Sequence, residues 1–217
     1  MGPPRSLVKN ECSFPTMGRV PRVTDAQREQ RREQIVVAAR RCFAHNGFHQ
    51  TSMPDILEEA GVSAGTFYRY FRSKDDVIAL IAEQGFGGVG RMLEGMLAAG
   101  TAPTVGEILE AVIAGLGAAG EGADDQLRTA IQGWGEALRN EELRGRAREG
   151  FAVVGARVSA LVELSQDAGR ISRAASPEQA ARVVLALIPG FILQRALLGP
   201  SEPGPFTRAV AAVIDGD

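Results

Sequence analysis

Within 26 residues, TSMPDILEEAGVSAGTFYRYFRSKDD at positions 51–76, the chain gathers the side chains best suited to gripping a sugar-phosphate backbone. On a helix starting at Ala64 and advancing 100° per residue, Ala64, Gly65, Tyr68 and Arg69 share one face, while Phe67 and Tyr70 point away from it. Phe67 is the natural core anchor. The outward face then has two very small residues at the helix N-terminus and a phenol and a guanidinium one turn later. Small residues let a backbone approach base edges closely, and the longer side chains reach phosphates or bases. Lys74 falls in the first turn of the next predicted helix, where a phosphate would be held.

The neighbouring residues supply the elements that must hold this face. Thr51 or Ser52 is an N-cap, Pro54 suits a first turn, and Met53, Ile56, Leu57 and Ala60 recur at spacings of three and four, which predicts a short amphipathic helix. Gly61 stands where a chain leaving a helix needs a left-handed backbone, which costs any residue with a Cβ roughly 1 kcal/mol or more. Val62 plugs the turn, Ser63 caps a helix expected over Ala64–Tyr70, and Ser73 caps another with Asp75 and Asp76 favourably placed against its dipole. Upstream, Thr24 and Gln27 read as a capping box for a helix through Ile35, Ala39, Cys42 and Phe43 that ends at Gly47. Two short helices joined by a tight turn make a helix-turn-helix, a layout that lays one helix in the DNA major groove.

The strings TSM, AGVS, GTFYRYF and SKDD, in this order, resemble the tetracycline-repressor (TetR) class of bacterial transcriptional regulators. The resemblance covers roughly residues 27–82, about a quarter of the chain. It implies DNA contacts from Thr51, Ser52, Ala64, Gly65, Thr66, Tyr68, Arg69, Tyr70 and Lys74. It also implies a homodimer on a near-palindromic operator of double-stranded DNA and a helical C-terminal domain that senses a small molecule. Pro54 and a leader of about two dozen residues depart from the commoner pattern; proline is tolerated in a helix's first turn.

Composition sets the frame: 217 residues, 45% hydrophobic and 23% charged, fit an ordinary soluble protein of one small and one medium domain. The division expected is a disordered N-terminal extension over 1–22, a helix-turn-helix domain over 23–78 and a helical effector-binding and dimerisation domain over 79–217. Residues 1–80 carry 12 Lys and Arg against 9 Asp and Glu, a net of +3, and residues 81–217 carry 12 against 17, a net of −5. The first part is drawn to phosphates and the second repelled. Arg19, Arg22, Arg28, Arg31 and Arg32 could follow a DNA backbone or enter a minor groove. No apolar signal core opens the chain and no run approaches 18 apolar residues, so a cytoplasmic protein with no membrane contact is expected. Cys12 and Cys42 give no disulfide framework. Cys42, His45 and His49 make a poor metal set, because Gly47 breaks the helix between the histidines, and no cofactor is expected.

From residue 83 onward the pattern is helical throughout, giving an all-α protein. Thr104 and Glu107 cap a helix through Leu116, Asp124 or Asp125 starts one through Leu138, Asn140 opens a long helix to about Ala168, and Ser176, Pro177 and Gln179 open an apolar run to Leu198. Pro189 should kink that run. The helices over 141–168 and 177–198 resemble the pair through which family members dimerise. The middle helices would enclose an effector cavity lined by Phe86, Met92, Met96, Ile131, Trp134, Phe151 and Val154, with Gln132, Glu136 or Arg157 orienting a hydrophobic or amphipathic ligand. A dimer without an effector is the alternative. An enzyme is disfavoured, since no G-x-S-x-G, phosphate loop or dinucleotide fingerprint is present, and the Gly-rich EQGFGGVGRM follows a helix and lacks the lysine. Its Gly85, Gly87, Gly88 and Gly90 either weaken a connecting helix into a hinge or let neighbouring helices pack closely.

Overall fold

The computed structural model describes residues 2, 24–117, 122–199 and 201–214 and, among them, contains nine α-helices and no strand. The expected leader over 1–22, with Cys12, Arg19 and Arg22, lies outside the described residues apart from Gly2.

Three short-range devices build the first bundle. Helix α1 (Asp25–Asn46) opens on a reciprocal capping box between Thr24 and Gln27 and ends at Gly47, with Ile35, Val36, Ala39, Cys42 and Phe43 buried along one side. Helix α2 (Met53–Ala60) has its own capping box between Ser52 and Asp55 and stops at Gly61, whose φ of 60° is the left-handed conformation that glycine adopts without a Cβ penalty. The Ser52 amide and hydroxyl hold the Asp55 carboxyl below the usual carboxylate range. Helix α3 is shorter than expected: regular α geometry covers only Ala64–Phe67. Beyond it Arg69 N donates to Thr66 O (3.3 Å) and Tyr70 N to Phe67 O (2.9 Å), a tighter three-residue winding that carries the chain to Tyr70. Phe67 is fully buried as anticipated and packs on Phe71 at 5.6 Å between ring centroids.

Helix α4 (Lys74–Ala99) leaves this bundle and enters the second. Its first turns give Val77, Ile78 and Ile81 to the core of α1–α3, and its later turns give Val89 and Leu93 to the other core. That second core is assembled from α5 (Val105–Gly115), α6 (Ala123–Ala137), α7 (Glu141–Asp167), α8 (Pro177–Leu198) and α9 (Pro203–Ile214). Where α4 crosses α5 their backbones touch: a Cβ on Gly115 would lie 2.5 Å from Val89 Cα, and one on Gly88 would overlap the Gly115 carbonyl oxygen.

Two sequence expectations change here, at the start of α6 and after α8. Helix α6 begins at Ala123 after Gly122 with no side-chain cap, so neither Asp124 nor Asp125 caps it; both sit in its first turn. Helix α8 runs through Pro189 as one element. Helix α9 follows Gly199, beyond the last helix placed from the sequence, and packs on α5 through buried Thr207 and on α8 through the Phe206–Phe191 ring pair. Helix α8 is long and apolar enough to cross a membrane by length and composition alone. One side of it, with Val184, Ile188, Phe191 and Ile192, is buried in the second core, and the opposite side exposes Val183, Leu193 and Leu197.

Candidate nucleic-acid interface and apolar cavity

The short α3 presents the predicted face to solvent. Ala64, Gly65, Tyr68 and Arg69 are exposed, Tyr68 by 58%, while Thr66 and Tyr70 are half-buried. A Cβ added at Gly65 would meet nothing within 4 Å, so an approaching backbone has room there. Ser63 Oγ accepts from Thr66 N at 3.2 Å and lies 3.0 Å from Thr66 Oγ1, which fixes the start of the helix. Among the described residues the guanidinium groups of Arg69 and Arg72 have no carboxylate partner, and the Arg72 main-chain amide donates to Asp76 Oδ2 at 2.8 Å. Arg28 and Arg32 are paired on the surface with Asp25 (3.5 Å) and Glu29 (3.6 Å), contacts that exchange readily for phosphate.

Two of the expected contacts are taken up inside the protein. Thr51 is buried, and its hydroxyl donates to Gly47 O (2.8 Å) and stands 3.1 Å from Cys42 O; only its neighbour Ser52 is exposed. A buried hydroxyl that gives its one proton to a backbone carbonyl is turned into the bundle and away from the exposed face. Lys74 was expected to hold a phosphate. Its ammonium instead donates to Phe48 O (2.8 Å) and Thr51 O (3.1 Å), lies 3.5 Å from His49 O, and sits 4.5 Å over the Phe48 ring. The three carbonyls account for its three donors. Lys74 therefore staples the loop between α1 and α2 to the start of α4.

That stapled loop also meets α6. Phe48 N donates to Gln132 Oε1 (3.4 Å), and His49 Nε2 lies 2.7 Å from a buried Glu136 carboxylate, with Arg139 3.8 Å from the same oxygen. Gln132 and Glu136 thus act at this seam and do not orient a ligand. Thr129, on the same side, lies 3.2 Å from Arg40 O of α1.

The other side of α6 lines a cavity of about 120 Å³ between α4, α5, α6, α7 and α8. Four of the seven predicted lining residues are there: Phe86, Trp134, Phe151 and Val154. Phe86 meets Phe151 edge-on at 5.2 Å. Met92, Met96 and Ile131 are not: Met92 is 45% exposed, and Met96 and Ile131 pack against the second core elsewhere. Arg157 is also outside, bonded to Glu94 at 2.8 Å. The polar lining comes instead from Glu83, Gln126 and Arg146, with Thr129 at the edge where the cavity meets the seam. Arg146 joins Glu83 (2.7 Å) and Glu142 (3.0 Å), and those hydrogen bonds raise its pKa. Neither Glu83 nor Arg146 sits in an apolar window, so periodicity gave no signal for them.

Burial pushes the Cys42 thiol up, with Glu59 and Asp55 adding to the shift, so it is kept as a neutral thiol. Among the described residues no three His, Cys, Asp or Glu side chains gather as a metal set would.

A capped helix-turn-helix with an exposed small-residue face, carried on a helical body, defines a DNA-binding transcriptional regulator. The comparisons give the family. The model described as "Bacterial regulatory proteins, tetR family" matches residues 35–81, and that of the "BetI-type transcriptional repressor, C-terminal" matches residues 92–216. The chain belongs to the TetR family of bacterial transcriptional regulators, and it is not an enzyme. It is 25% identical to the transcriptional regulator UidR of Escherichia coli over 186 residues, 85% of this chain and 91% of that one. The match to the regulator YfiR of Bacillus subtilis is 38% identical over 65 residues, and so spans 30% of this chain and 32% of that relative. Among solved structures, Salmonella enterica GusR has the same fold, with a TM-score of 0.67 at 24% identity over 89% of this chain and 98% of that one.

Proposed function

We propose that this regulator is a homodimeric repressor, cytoplasmic like the DNA it reads, that leaves a near-palindromic operator when a hydrophobic or amphipathic molecule fills the cavity between α4 and α8. In this reading residues 23–78 read DNA and residues 79–217 sense and dimerise. The observation that carries it is the two-sided α6: Trp134 faces the cavity, while Gln132 and Glu136, two residues to either side, hold the loop of the DNA-reading bundle. At about 120 Å³ the cavity is smaller than the roughly 150 Å³ void that holds one benzene, so a larger ligand must push its walls apart. Displaced walls move α4 and α6 against the bundle, and the separation of two recognition helices changes with them. The exposed stripe Val183, Leu193 and Leu197 on α8, with Val153 and Leu164 on α7, supports pairing of two copies through these helices. A dimer without an effector is the second reading, and the smallness of the cavity favours it.

Operator binding should weaken by about a thousandfold or more between roughly 50 and 200 mM salt, measured by fluorescence anisotropy, because phosphate contacts dominate. Compounds that raise the melting temperature in a thermal-shift screen of amphiphiles should also lower operator affinity. Phe151→Ala, at a partly exposed position of the lining, should weaken them about tenfold. A salt-independent affinity, or no preference among random DNA sequences, would defeat the DNA reading. Stabilising compounds that leave operator affinity unchanged would leave the effector-free dimer.

A further inference from the structure

Between the DNA-reading bundle and the second core lies a polar cleft of about 700 Å³, walled by α1, α4, the end of α5 and the start of α6. Three guanidinium groups line it, Arg40 and Arg41 from α1 and Arg91 from α4. Asp125 is the one carboxylate in its lining among the described residues. We propose that this cleft binds a small polyanion, a molecule bearing several phosphate or carboxylate groups, through Arg40, Arg41 and Arg91.

Arg40 carries the argument. Its Nη2 donates to Gln84 Oε1 at 3.2 Å, and Gln84 is fixed in that orientation by its own donation to Glu33 Oε2 at 2.9 Å. Its Nε is buried and has no acceptor, the one such side-chain atom among the described residues. No carboxylate among them lies within ion-pairing distance of Arg40. Glu33 acts on it only from further off, and burial lowers its pKa, yet a guanidinium starts so high that it stays charged. A half-buried cation compensated by one neutral amide is unfavourable unless an anion completes it. Arg91 is exposed and unpaired among the described residues, and Arg41 has only an exposed pair with Glu59 at 3.3 Å, which an incoming oxyanion can replace. Guanidinium forks match phosphate and carboxylate geometry, and three around one cleft suit a ligand with more than one such group.

The cleft backs onto the apolar cavity, since Gly85, Leu116 and Gln126 line both. An anion here bridges α1 of the DNA-reading bundle to α4, held by arginines that take no part in the apolar cavity.

The test is calorimetric titration of the full-length protein with pyrophosphate and with citrate, at constant ionic strength set by potassium chloride. Saturable binding of either supports the site and assigns the group it prefers. Arg91→Ala, at an exposed position, should weaken it about tenfold or more, and Arg40→Gln should weaken it further, while Phe151→Ala in the apolar cavity leaves it unchanged. Operator binding by each variant shows that it has folded. No saturable heat from either anion, or equal affinity in wild type, Arg91→Ala and Arg40→Gln, overturns the proposal without touching the effector reading.

Discussion

Replacing Gly88 by alanine will lower the melting temperature by roughly 6–12 °C, while Gly87→Ala, one residue earlier, will raise it slightly. The added methyl at 88 overlaps the Gly115 carbonyl oxygen, which is backbone and cannot rotate away, so α4 and α5 must separate along their whole crossing. Overpacking of that kind costs about 3 kcal/mol, and each kcal/mol shifts the midpoint about 2–4 °C at this size. At 87 the methyl meets only the far end of Arg91, 3.5 Å away, and the helix gains up to about 1 kcal/mol in propensity. Differential scanning calorimetry separates the two. The same pair settles why α4 is rich in glycine. Close packing predicts that Gly87→Ala keeps its normal release from operator, and blunted release would restore the hinge.

Lys74→Met is expected to remove about 2 kcal/mol of stability and to weaken operator binding while leaving its salt slope as in wild type. Methionine keeps the stem over the Phe48 ring but strips the Phe48 and Thr51 carbonyls of their charged donor, and charge-assisted hydrogen bonds of this kind are worth about 1.5–3 kcal/mol. The loss of affinity comes from a loosened loop behind α2, so it acts on all DNA sequences alike. If Lys74 held a phosphate directly, the slope would flatten by about one unit and stability would hardly change. Chemical denaturation together with anisotropy at several salt concentrations distinguishes the two outcomes.

What could be read from the chain was local. Thr24, Ser63, Ser73, Thr104, Asn140 and Ser176 all cap helices as their spacing indicated, and of the alternatives Thr51 and Ser52 it is Ser52 that does, because a cap bonds to amides two or three residues on. Phe67 and Gly61 were legible for the same reason. The bonds of Lys74 were not legible, because its carbonyl partners lie 23 to 26 residues back, a distance over which only the folded bundle brings groups together. Met92, Met96 and Ile131 show the limit of periodicity in the cavity. A helix period finds the apolar side of a helix but not which of its members meet empty space and which meet another side chain. Helix α9 lies beyond Gly199 and Pro200, residue types that break a helix, and its short apolar face does not stand out after the long apolar run to Leu198.

The seam on α6 has a consequence for building hybrid regulators. A cut at the start of α4, between the reading head of one protein and the sensor of another, looks natural along the sequence. It would sever Thr129 from Arg40, Gln132 from Phe48 and Glu136 from His49, three partnerships 84 to 89 residues apart. A functional graft has to carry the 129–136 side of α6 along with the donor's reading head, so that Thr129 and Gln132 meet its main chain in register and Glu136 meets a matching side chain. Swappable parts in this protein follow a surface in space rather than a point in the chain.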